Sequence, residues 1–348
     1  MTRESSVPLA ANDNFDSREL RPMDINHSLT LTAGALALFL YAITRLSKEM
    51  KTAFGADARR VISRYTSNLF LSILVGTLVT IALGSSSAAI IIAIIFVNAG
   101  SMSFRQAIGV VMGANIGTTF SSQLFALNLG EYAYILLIAG LILNLFAEKY
   151  PRWSLYGMIL FLFGLLFFAL NLIEMSLIPY KDSPALLAYM ESIADNRWQG
   201  AATGGLVTLI IQSSSATVGL AIALARENIL GIAAGIAVML GAELGTCSDT
   251  LLATIKGSRQ AIKTGVFHLT FNLLTIAVGL LLFTPFVELV DYLTASDRIQ
   301  RHIANAHLLF NSLGVLLFIP FVPMTERLLN RLIPEKNATQ AEDTPASN

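Results

Sequence analysis

One stretch of this chain is written twice. Residues 76–119 return without a gap 128 positions later as 204–247, with roughly 16 of 44 aligned positions identical. Both copies carry three consecutive serines inside apolar sequence, GTLVTIALGSSSAAI in the first and GGLVTLIIQSSSATV in the second. Both close on a glycine-rich hexamer, GANIGT at 113–118 and GAELGT at 241–246. The register runs outward, aligning Asn144 with Asn272 and the apolar run near 30–46 with that near 158–174. A duplication over most of the chain restricts the fold to one unit built twice and packed on itself.

Composition sets the solvent. Of 348 residues, 54% are hydrophobic and 13% charged, against about 25% charged in a soluble domain, so an all-α integral membrane protein is expected. A net charge of zero argues against nucleic acid as a partner. The single cysteine, Cys247, excludes an intrachain disulfide. Residues 1–27 are polar, mixed in charge and without an apolar core, so no cleavable signal is expected there. That tail and the end of the chain, 335–348, are expected to be disordered, with no room for a second soluble domain.

Apolar segments long enough to cross ~30 Å at ~1.5 Å per residue lie near 28–46, 107–127, 132–148, 153–175, 229–251, 264–285 and 303–323. The triple-serine regions differ. Their apolar arms, 68–83 and 88–98 in the first copy and about 199–211 and 216–226 in the second, are too short to span comfortably. Each is read as a re-entrant helical hairpin, and irregular backbone at that depth requires surrounding protein or a watery cavity. The six basic residues at 45–64 (Arg45, Lys48, Lys51, Arg59, Arg60, Arg64) mark a cytoplasmic loop. Threading onward places Lys149 and Arg152, Lys256, Arg259 and Lys263, and Arg327, Arg331 and Lys336 inside, with Arg298 and Arg301 the exception. Lys181–Arg197, acidic at Asp182, Glu191 and Asp195, falls outside. Three crossings per half is odd, so the second half is inverted relative to the first, with the serine tips meeting near the midplane. The expected organisation is a polar tail at 1–27, repeat one at 28–150, repeat two at 151–285, an additional helix at 286–325 and a cytoplasmic tail at 326–348.

Each tip sets three hydroxyls beside the start of a helix arm, where unpaired backbone N–H groups and the helix dipole favour an oxyanion. Neither hairpin holds a Lys or Arg before Arg226, so a bound anion needs a mobile counter-ion, and hydroxyl and carbonyl oxygens suit a hard cation. The competing reading of such segments is helix-packing glue. The glycine hexamers are expected to unwind their helices, or else to serve as close helix contacts. Thr80 and Thr208, one turn below each apex, are candidate cation-ligand hydroxyls, with bonding back to their own helix the alternative. His268 and Asn272, then His307 and Asn311, repeat H-x-x-F-N, an i, i+4 pair on one face best suited to interhelical hydrogen bonding. Lys181–Trp198 carries an amphipathic patch (Leu186, Leu187, Met190, Ile193) suited to the outer membrane surface.

Gln212 with Ser213, Ser214 and Ser215, the echo at Gly84 with Ser85, Ser86 and Ser87, the hexamer at 113–118 and the H-x-x-F-N pair together resemble the type II sodium–phosphate cotransporter family over roughly 30–320, most closely its bacterial members. The resemblance implies a non-enzymatic secondary transporter of the cell membrane, without a cofactor, taking up inorganic phosphate with sodium by alternating access. It implies phosphate-facing Ser85, Ser86, Ser87, Gln212, Ser213, Ser214 and Ser215. Asn115 matches the family's polar turn, and the implied ion-site candidates are Asn115, Thr118, Glu243, Thr246, Thr80 and Thr208. Many bacterial relatives append a cytosolic regulatory domain, for which this chain is too short.

Two positions depart from the family: Gly84 stands for its usual glutamine, and Glu243 for an asparagine. If inversion brings them together, Glu243 fills the vacancy and takes an extra cation or proton. Asp249 is another acid at membrane depth. Rival readings are export or exchange, another small oxyanion, a sensor whose site the two departures have disabled, and an intramembrane serine hydrolase. The last needs a base beside the serines, and neither hairpin contains a histidine.

Overall fold

The computed structural model describes residues 25–127, 129–147, 149–181, 183–255 and 257–334, so the expectations for 1–24 and 335–348, and for Asp182 and Lys256, lie outside it. Among the described residues the regular structure is helical. The first copy comprises α1 (Ile25–Tyr65), α2 (Leu69–Leu83), α3 (Ser86–Asn98), α4 (Phe104–Ala126) and α5 (Ala133–Phe146). The second comprises α6 (Pro151–Leu177), α7 (Pro184–Asp195), α8 (Arg197–Ile211), α9 (Ser214–Arg226), α10 (Ile232–Gly245), α11 (Cys247–Thr254) and α12 (Arg259–Leu281). Then come α13 (Phe283–Leu293), α14 (Ile299–Phe318) and α15 (Val322–Leu332).

The duplication in sequence is a duplication in structure. At the 128-residue offset α2 falls on α8 and α3 on α9, end for end, and α4 covers α10 with α11. The same devices set the ends. Asn68 and Asn196 cap the starts of α2 and α8 by accepting from backbone amides of the first turn. Left-handed residues stop α2 and α8, Gly84 at φ 60° and Gln212 at φ 59°. A second left-handed pair, Gly100 and Asn228, follows α3 and α9.

The glycine hexamers do not unwind α4, which runs unbroken through 113–118, whereas the second copy breaks at Thr246 between α10 and α11. They are close helix contacts. A Cβ on Gly113 would strike the backbone of Ile73, and one on Gly241 that of Ala201, so α4 lies directly along α2 and α10 along α8. Without a hydrophobic drive between helices in lipid, such backbone approach is what holds them. The copies also interlock: α3 packs on α11 and α12, while α9 packs on α4 and α14.

Three expectations are corrected. The segment 45–64 is helix, not loop; it continues α1 because it lacks proline, joins Arg45 to Glu49 at 2.8 Å, and buries Ala58 and Ile62 in the core. In place of seven crossings, length and composition support five spanning helices, or six if Phe104–Ala126 and Gly130–Phe146 form one bent span. Two segments do not count alone: α5, whose 14 residues reach about 21 Å, and the 23-residue α4, which qualifies only together with it. The patch on α7 does not lie wholly on the surface: Ile193 is buried against Ala221, Leu230 and Val238, while Leu187 stays exposed. Elsewhere exposed apolar side chains such as Ile135, Ile138, Leu206 and Ile210 face outward, as a multi-pass membrane protein requires.

Candidate functional site

Both apices open onto one cavity of about 530 Å³, lined by all six of their serines together with Gly84 and Gln212. The local sequence explains the geometry. Ser85 and Ser213 are N-caps of α3 and α9, their Oγ atoms accepting from Ala88 N and Ala216 N at 3.2 Å. Ser86 and Ser214 therefore begin helices, where amides have no intrahelical partner. Two helix N-termini and two sets of hydroxyls converge on one space, a donor-rich arrangement suited to a tetrahedral oxyanion.

The left-handed turn accounts for Gly84. A side chain there is strained by about 1–2 kcal/mol, and glycine avoids this. Gln212 holds the same conformation with a side chain, the kind of local strain that gathers at functional positions.

Of the ion-site candidates, Thr246 lines the cavity, its hydroxyl donating to the Glu243 carbonyl at 3.0 Å. Thr208 donates to Thr217 at 2.7 Å. In the first copy the position equivalent to Thr217 is Ala89, and the buried Oγ1 of Thr80, the repeat counterpart of Thr208, has no hydrogen-bond partner in the structure. Thr118 bonds back to Ala114. Asn115 donates to Asn272 Oδ1 at 2.5 Å, and Asn272 Nδ2 in turn donates to the Glu243 carbonyl at 3.0 Å.

Glu243 does not fill the place of a glutamine at position 84. Its carboxylate lies off the cavity, 2.8 Å from His307 Nε2, and His307 Nδ1 is 2.6 Å from Ser122 Oγ. The reason is α14, which packs between α4 and α10 and brings His307 to the acid first. Ser122, His307 and Glu243 have the outline of a hydrolytic triad, yet Ser122 is fully buried and outside the cavity, so the trio ties three helices together. The H-x-x-F-N pairs are interhelical ties as expected: His268 contacts Thr250 at 2.7 Å, and His307 bridges α4 and α10.

Sequence reasoning missed the two cavity lysines and the partner of Asp249. Lys48 and Lys51 reach the cavity from α1, so fixed cations do face the site, although the hairpins themselves carry none there. Their place in a segment read as cytoplasmic loop concealed this; the i, i+3 spacing directly after an apolar run was the available signal. Asp249, left without a partner in sequence, accepts from Ser87 Oγ at 3.3 Å.

Comparison with known proteins supplies the family. The Bacillus subtilis protein YqeW is 31% identical over 309 residues, 88% of this chain and 99% of that protein. The putative inorganic phosphate export protein YjbB of Escherichia coli is 26% identical over 257 residues, 74% of this chain and 46% of its own length. The sodium-dependent phosphate transport protein 2B of Homo sapiens is 34% identical over 101 residues, 28% of this chain and 15% of that one. The chain thus spans about half of YjbB and a small part of the human protein. No solved structure matches it. The Na+/Pi-cotransporter family model matches residues 38–175 and 183–317, so both triple-serine regions fall within it. This multi-pass membrane protein belongs to the Na+/Pi-cotransporter family.

Proposed function

We propose that the chain carries inorganic phosphate across the membrane in symport with sodium, by alternating access to a site between its two serine apices. The observation that carries this reading is the convergence of both triple serines on one cavity. Family membership supplies the substrate class. Phosphate takes hydrogen bonds from Ser86, Ser87, Gln212, Ser214 and Ser215 and from the free amides at the starts of α3 and α9. Ser85 and Ser213 shape the turns and retain their hydroxyl hydrogens for the anion. Thr246 and the unpartnered hydroxyl of Thr80 are the sodium-ligand candidates with geometry in their favour. Asn115, Thr118, Thr208 and Glu243 are engaged within the protein and position the helices around them.

The repeats are inverted in this reading, with α4 and α5 crossing as separate segments so that each half has three crossings, and the α2–α3 and α8–α9 pairs are re-entrant. Arms of 15 and 13 residues reach about 22 and 20 Å, short of a ~30 Å core, which supports re-entry. Labelling checks the inversion. Ser67 and Asp195 are repeat-equivalent and exposed, so single cysteines there, in a Cys247→Ala background, should react with a membrane-impermeant reagent from opposite faces. Reaction from one face only would discard inversion.

The functional test is labelled-phosphate flux into proteoliposomes under an imposed sodium gradient, with sulfate and arsenate as competitors. Sodium-driven accumulation blocked by Ser214→Ala/Ser215→Ala is expected. Absence of any phosphate movement in either direction would refute transport. Export is the second reading, favoured by the likeness to YjbB over 74% of this chain. Efflux from loaded vesicles that outpaces influx under mirrored gradients would select it.

A further inference from the structure

Asp249 is the carboxylate among the described residues lining the serine cavity, and its place is set by interlocking rather than by its own repeat. It stands on α11 of the second copy, while Ser87, whose hydroxyl donates to its Oδ2 at 3.3 Å, belongs to the first. The 128-residue counterpart of Asp249 is Ser121, which lines the same cavity. A charge has therefore been placed at one of two equivalent positions.

That charge opposes an anion in two ways. It repels any oxyanion held by the neighbouring serines, and it engages the single hydrogen of Ser87, which cannot be donated to a ligand at the same time. The lysines matter here. Lys48 and Lys51 give the cavity two fixed positive charges, and an ionised Asp249 cancels one of them. A sodium ion against Asp249 restores the balance to that of a phosphate dianion, and a buried or half-buried charge is tolerated only when so matched. Carboxylate and hydroxyl oxygens are the ligands a hard cation takes.

On the phosphate-transport reading, we infer that Asp249 is the carboxylate that makes sodium binding a condition of phosphate binding. Empty, it holds the Ser87 hydroxyl and repels the anion. Covered by sodium, it releases that hydroxyl to phosphate. Anion and cation affinities are then linked through one side chain, and linkage requires each to tighten the other equally.

The test measures binding of labelled phosphate to the purified, reconstituted protein with and without sodium. Linked sites typically change affinity by about 5–150-fold, and the native protein should fall in that range. Asp249→Asn, and Asp249→Ser with the side chain of the first copy, should bind phosphate in the absence of sodium, with sodium altering affinity by less than about twofold. Asp249→Glu should keep the dependence. Asp249 is only half-buried, so the isosteric Asn variant should fold, and a size-exclusion profile matching the native protein verifies this. Two outcomes overturn the inference while leaving transport standing: Asn and Ser variants that retain the native sodium dependence, or folded variants that bind no phosphate under any condition. Failure of the native protein to bind phosphate at all would instead remove the transport reading, and this inference with it.

Discussion

Gly84→Gln separates strain from recognition at the apices. Position 84 sits at φ 60°, and a Cβ there meets nothing within 4 Å, so a side chain fits sterically although the backbone disfavours it. Gln212 shows that this turn accepts glutamine at φ 59°. The left-handed strain, about 1–2 kcal/mol, is present with and without ligand. It therefore lowers the unfolding temperature without touching affinity. The new amide faces the cavity. A hydrogen bond to a charged acceptor contributes about 1.5–3 kcal/mol. Ordering a glutamine side chain removes about 1.5 kcal/mol of that. The remainder, about 1 kcal/mol, is roughly a fivefold gain in phosphate affinity. Thermal unfolding in detergent and labelled-phosphate binding on one preparation read the two effects separately. A variant that melts lower but binds phosphate no better would refute the claim that position 84 faces the bound anion. One that melts no lower would refute the strain argument.

Gln212→Gly is the mirror experiment: a higher unfolding temperature, with phosphate affinity reduced by roughly fivefold or more, since an existing donor is lost. Gly113→Ala drives a methyl into the backbone of Ile73, which cannot yield as a side chain could. A loss of about 1–3 kcal/mol or more is expected in chemical unfolding, and native stability would contradict the close-contact role of the hexamers. His307→Ala leaves the buried Glu243 side chain without its hydrogen-bond partner, a loss of about 1–3 kcal/mol. The double variant with Glu243→Leu should recover part of it in a double-mutant cycle, whereas additive losses would show that the pair is not coupled.

What could be read from sequence was whatever the duplication repeats. Identical caps at Asn68 and Asn196, at Ser85 and Ser213, and matching glycines on α4 and α10 are local rules, and local rules leave marks at fixed spacing. The serines were legible for that reason, whereas Gln212, which stands against Gly84, was read from the family resemblance. What depends on packing between distant segments left no such mark. Lys51 reaches the cavity because α1 continues as helix past its apolar run, and Asp249 meets Ser87 because α11 is docked on α3 of the other copy. Glu243 was misplaced because α14, which has no counterpart in the first copy, brings His307 to it. The glycine hexamers show a third case: glycine marks both a turn and a close approach, and only the partner helix distinguishes them.

On the proposed reading, the positions at which the two copies differ carry the chemistry that the shared frame cannot. Two inverted copies of identical sequence would make inward-open and outward-open states equal in energy, and a ligand between them would bias neither. This chain breaks the equality at the cavity, with Gly84 against Gln212 and Ser121 against Asp249, and off it, with Ala89 against Thr217. Each substitution puts a donor, a charge or a filled hydroxyl on one side alone, so in an inverted arrangement the two open states differ in their affinity for ions. Making the copies alike at Ser121 and Asp249 should therefore move the preferred orientation as well as the sodium dependence. Cysteine accessibility at the hairpin arms, compared between the native protein and Asp249→Ser, reads that shift directly, and an unchanged pattern would confine Asp249 to the binding step.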